Sequence, residues 1–99
     1  MMTRARSEHM QRGDTVKLTA VFRDWGGELV NPDNVGLKIY NARQVEVYSA
    51  SLSDMDAESL GNYFHFYTPE NDGFYIYEFS GTLDGNTVLR RKDFEVKFV

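Results

Sequence analysis

Hydrophobic and polar positions alternate with a period of two along most of this chain. In residues 15–23, Val16, Leu18, Ala20 and Phe22 fall on one face and Thr15, Lys17, Thr19 and Arg23 on the other, with Val21 the single departure. Successive side chains of a strand point to opposite faces, so this pattern predicts a half-buried β-strand. Val35, Leu37 and Ile39 alternate with Gly36, Lys38 and Tyr40 in a second strand, and residues 45–52 predict a third. Tyr63-Phe64-His65-Phe66-Tyr67 places aromatic rings on both faces of another. Near the C-terminus, Tyr75, Tyr77 and Phe79 share one face of a strand, and Phe94, Val96 and Phe98 one face of the last.

Turn chemistry separates these segments. Asp24-Trp25-Gly26-Gly27-Glu28 is a glycine-rich turn, and Asn31-Pro32-Asp33-Asn34 starts another after a short pairing segment at Leu29-Val30. Asn41-Ala42-Arg43-Gln44 predicts a hairpin connection, as does Asp84-Gly85-Asn86. Residues 53–59 predict a helical turn or an irregular loop. Seven candidate strands at spacings of about ten residues, with no convincing helix, predict a single all-β antiparallel sandwich of immunoglobulin-like type. The expected domain spans residues 13–99, preceded by a short N-terminal arm, residues 1–12, flexible until bound.

Composition narrows the picture. The chain has 99 residues, 41% hydrophobic and 14% aromatic, enough for one core and too apolar for disorder. It has no cysteine, so the core has no disulfide and no thiolate is available for metal or nucleophilic chemistry. Residues 1–12 hold three arginines (Arg4, Arg6, Arg12) and one glutamate, a formal +2. The remaining eight basic and fourteen acidic groups give residues 13–99 a formal −6. An acidic body disfavours nucleic-acid binding, which draws on phosphate neutralisation. The basic arm is a candidate for docking on an acidic neighbour. Its apolar content predicts no signal peptide, and no segment approaches a membrane span; synthesis in a cytoplasm is the expectation.

Candidate chemistry is sparse. Asp54, Asp56 and Glu58 alternate as carboxylates do in some Ca²⁺ sites, but lack the glycine and distal glutamate of an EF-hand. Glu70 and Asp72 could add to them only if the loops meet. His65 stands beside Tyr63 and Tyr67 with no serine, cysteine or second histidine in register, so a packed structural role is the simpler one. Trp25, the only tryptophan, sits at a loop tip suited to anchoring an interface or stacking on a sugar. No nucleophile elbow, phosphate loop or metal-ligand spacing is present, which predicts a non-enzyme with no cofactor.

Taken together, several segments carry a resemblance. They are Gly13-Asp14-Thr15-Val16-x-Leu18-x-Ala20-x-Phe22-x-Asp24, Gly27-x-Leu29-Val30-x-Pro32-x-x-Val35, Gly61-x-Tyr63-x-x-x-Tyr67, Gly73-x-Tyr75-x-Tyr77, Gly81 and Phe94-x-Val96. This set resembles the small immunoglobulin-like β-sandwich proteins of tailed bacteriophages and, less specifically, Ig-like modules of bacterial surface proteins. The resemblance implies a virion part present in many copies: a neck or head–tail connector protein, or a capsid decoration. Its expected partners are capsid, portal, neck or tail subunits, or further copies of itself, and no membrane. The expected contacts are Arg4, Arg6 and Arg12 of the arm, Trp25, and the Tyr63, His65 and Tyr67 strand. The alternative is an Ig-like carbohydrate- or surface-binding module with Trp25 and residues 63–67 as its platform.

Overall fold

The computed structural model describes residues 7–98; Arg4 and Arg6 lie outside the described residues. Eight strands run in order: β1 (Ser7–Met10), β2 (Val16–Val21), β3 (Asp33–Asn41), β4 (Glu46–Ser51), β5 (Ala57–Ser59), β6 (Asn62–Tyr67), β7 (Gly73–Leu83) and β8 (Asn86–Phe98). They form a five-stranded sheet of order β1-β8-β7-β3-β4 and a three-stranded sheet of order β2-β6-β5. All pairs are antiparallel except β1 with β8. With β2, β5 and β6 as strands B, D and E, the small sheet is B-E-D. The large one is G-F-C with an added edge strand beyond C, the immunoglobulin-type order.

The alternation read in the sequence is what buries the core. Leu18, Ala20 and Phe22 meet Val35, Leu37 and Ile39, and Tyr75, Tyr77 and Phe79 meet Phe94 and Val96, all buried between the sheets. Rings pack within each sheet and between the two. Phe22 packs edge-on against Tyr63 in the small sheet with centroids 5.7 Å apart, Tyr75 stacks on Phe94 in the large one at 5.2 Å, and Tyr67 of β6 meets Tyr75 of β7 across the sheets at 6.4 Å. Each such side chain contributes on the order of 1.5–3 kcal/mol by leaving water. Among the described residues no polar or charged side chain is fully buried.

Turns close the strands as their residues dictate. Asp84 and Gly85 both take positive φ, 51° and 80°, the type I′ geometry that matches the twist of the flanking strands. Asn41 accepts the Arg43 and Val45 backbone N–H groups on Oδ1, fixing the β3–β4 turn. Gly61 has φ +77° and carries its Cα so close to the β2–β3 connection that a Cβ would sit 2.7 Å from the Phe22 carbonyl oxygen.

Leu29 pairs with Arg23 in an isolated antiparallel bridge, the brief pairing expected there, too short to form a strand. The helical turn expected in residues 53–59 is a 3-10 turn at Asp54–Asp56, capped by Ser53; the strand β5 that follows it directly was not expected. Ser7–Met10, assigned to the arm, instead lies beside Glu95–Phe98 in the large sheet, so the domain starts before residue 13. Backbone pairing can recruit such a segment without any hydrophobic alternation in it.

Candidate functional site

The residues singled out in the sequence do not form one surface. Val16 of β2 stands opposite Tyr67 and Val21 opposite Asn62. Trp25, beyond the Val21 end, is therefore at the far end of the small sheet from Tyr67, and the expected shared platform does not exist. Trp25 is 68% exposed. Its turn is held by Asp24, whose Oδ1 accepts the N–H groups of Gly26 and Glu28, and by Arg23, which donates to the Gly27 carbonyl.

Tyr63 must be removed from the contact set: it is 1% exposed and packs in the core. Its hydroxyl donates to Asp54 Oδ1 at 3.3 Å. Burial, then the Asp54 carboxylate, push the phenol up to about 12. His65 and Tyr67 are half-buried on the same inward face. His65 Nε2 lies 2.8 Å from the Tyr48 hydroxyl, and Tyr48 also packs on Tyr67 with centroids 5.3 Å apart. These contacts tie β6 of one sheet to β4 of the other. The wet aromatic face of β6 is the opposite one: Phe66 is 58% exposed and meets Phe64 edge-on at 5.5 Å, while Lys17 lies over the Phe64 ring.

Arg12 is engaged within the chain rather than held free. Its Nη1 donates to the Glu70 carbonyl at 2.7 Å and its guanidinium lies 4.6 Å from the Phe98 ring centre. The three candidate Ca²⁺ carboxylates diverge. Asp54 accepts from Tyr63, Asp56 caps the turn by accepting the Ser53 N–H, and Glu58 pairs with Lys17 at 3.0 Å. Among the described residues no three acidic, histidine or cysteine side chains come together as a metal site.

The surface that sequence reasoning missed is a cleft of about 730 Å³ between the β3–β4 turn and the β6–β7 connection. Tyr48, Phe66, Tyr67, Phe74 and Tyr75 form its aromatic wall, with Val47 beside them and Asn41, Arg43, Glu70, Asn71 and Asp72 among its polar lining. The Tyr75 hydroxyl donates to the Asn71 carbonyl at 2.6 Å, which shapes the connection. Burial is the first cause that holds the Tyr67 and Tyr75 hydroxyls above the usual phenol range, so both are neutral near neutral pH. Phe74 is 59% exposed at the mouth. The arrangement can seat an apolar or aromatic group and hydrogen-bond its edge. A signal for it exists in the sequence: Phe66 and Phe74 occupy positions that alternation assigns to solvent, where aromatic side chains have no core to fill.

No helix among the described residues is long and apolar enough to cross a membrane. Comparison with protein-family models, with curated proteins and with solved structures finds no match to this chain.

Proposed function

We propose that this chain is a non-enzymatic structural subunit of a tailed-phage virion, in the neck or head–tail connector region or as a capsid decoration. The observation that carries this reading is the set of apolar side chains left on the surface of a complete core. Phe66, Phe74, Val45 and Val47 are exposed at or next to one cleft, and Trp25 at the opposite end. Protein interfaces are enriched in aromatic side chains, and an exposed apolar cluster marks a site that another molecule covers. The acidic body argues for protein neighbours over nucleic acid. The sequence resemblance to phage β-sandwich proteins supplies the particle.

Mass spectrometry of intact, gradient-purified virions tests it. The protein is expected in the particles at many copies, and Phe74→Ala is expected to reduce its incorporation without unfolding the domain. Its absence from purified particles overturns the assignment. A carbohydrate-binding module remains the second reading, favoured by an aromatic wall facing the Asn41 and Asn71 side of the same cleft. A glycan array in which binding is lost with Phe74→Ala selects that reading.

A further inference from the structure

Two carboxylates, Glu70 and Asp72, line the cleft together with its aromatic wall. Neither is in an ion pair among the described residues. Arg43, on the β3–β4 turn, is the one basic residue of the lining. Two acidic groups against one basic group leave the lining a formal −1, within a body that is itself acidic. Burial is the first cause that raises the Tyr67 and Tyr75 phenols; the Glu70 carboxylate adds to it at both, and Asp72 at Tyr75. The field of the two carboxylates therefore falls on the aromatic wall.

The same β6–β7 connection already holds one guanidinium. Arg12 Nη1 donates to the Glu70 carbonyl while its planar head lies 4.6 Å from the Phe98 ring centre. Neither Arg12 nor Phe98 lines the cleft, so a ring face beside oxygen acceptors occurs next to the cleft and again within it. Within it the exposed rings are Phe66 and Phe74, and the acceptors are the Glu70 and Asp72 carboxylates. A ring face attracts a cation through its quadrupole, and a planar guanidinium also forks onto a carboxylate. A neutral sugar laid on the same rings would shut water away from both carboxylates and leave their charge uncompensated, which costs free energy.

We propose that the cleft is the docking site for an arginine side chain presented by a neighbouring protein subunit, its guanidinium against the Phe74 ring and its N–H groups on Glu70 and Asp72. One such cation neutralises the lining. Arg43 on the facing turn disfavours a second and directs the guest to the β6–β7 side. Lysine is the weaker guest, because a compact ammonium neither stacks on a ring nor forks onto a carboxylate. The inference rests on the assembly reading above for its setting and deepens it by naming the chemistry of the partner.

The test titrates the isotope-labelled full chain with the peptide acetyl-Gly-Arg-Gly-amide while the backbone amide resonances are followed. Saturable shifts are expected, clustered at the residues that line the cleft. A citrulline peptide keeps the shape of arginine without its charge and is expected to bind about fivefold more weakly. Glu70→Gln combined with Asp72→Asn is expected to weaken the arginine peptide by about the same factor. The rest of its spectrum should stay in place, which shows that the fold is kept. Absence of a saturable response overturns the proposal, as do equal affinities for the two peptides or shifts that map away from the cleft. A cleft that responds to N-acetylglucosamine and not to the arginine peptide also overturns it and selects the carbohydrate reading. Virion incorporation separates this inference from the assembly reading. The double variant entering particles as well as the parent defeats arginine docking alone, and absence of the parent from particles defeats the virion assignment alone.

Discussion

At the residue scale, two positions concentrate constraint. Gly61 combines a positive φ with an approach to the Phe22 carbonyl that leaves no room for a methyl group. Gly61→Ala is expected to destabilise the domain by about 2 kcal/mol or more, since left-handed strain and a steric shift act together. Urea unfolding measures it, and a loss under about 0.5 kcal/mol, the range of neutral surface changes, would show that the connection relaxes freely. Tyr63 is the other. Its folded phenol ionises at about 12 against about 10 in an unfolded chain. The unfolded state therefore releases the proton first, and stability that is complete below about pH 10 falls as pH rises toward 12. Asp54→Asn removes the carboxylate that adds to the effect of burial. Tyrosinate absorbance should then show one late-titrating phenol moving to lower pH; a titration curve that stays in place would separate Tyr63 from Asp54.

At the element scale, the two sheets are held at their flanks by single polar side chains. Arg90 of β8 reaches the β2 edge at Val21 and lies 5.5 Å from the Phe22 ring centre. Tyr48 of β4 meets His65 of β6 on the other flank. Loss of either contact is expected to cost on the order of 1 kcal/mol, the net worth of one hydrogen bond. Denaturation of Arg90→Ala and Tyr48→Phe, singly and together, checks this. The sites lie on opposite flanks, so the costs should add; strong coupling would mean that the sheets move as one body. Element existence was readable from alternation for β2, β3, β4, β6, β7 and β8. It was unreadable for β1 and β5, because four and three residues are too few to show a period and their strand state comes from the neighbour they pair with.

At the scale of the whole molecule, packing and function separate along the same alternation. Phe22→Ala or Phe79→Ala, each emptying a fully buried site, is expected to cost about 3–5 kcal/mol. Trp25→Ala and Phe74→Ala, both exposed, are expected to stay within about 0.5 kcal/mol of the parent. Thermal unfolding of the four variants checks the contrast, and a large loss from Phe74→Ala would make its ring part of the core. What alternation and turn residues along the chain decided was the β class, the inward face of the long strands and the place of the final hairpin turn, because these depend on neighbours a few residues away. What only the tertiary arrangement decided was which surface remains. It buried Tyr63, engaged Arg12 against Glu70 and Phe98, spread Asp54, Asp56 and Glu58 over three partners, and set Trp25 at the far end from Tyr67. It also brought the β3–β4 turn and the β6–β7 connection, some thirty residues apart, together into one cleft. Those outcomes depend on which strand lies beside which, and that is fixed by the cooperative packing of two sheets that no local period encodes.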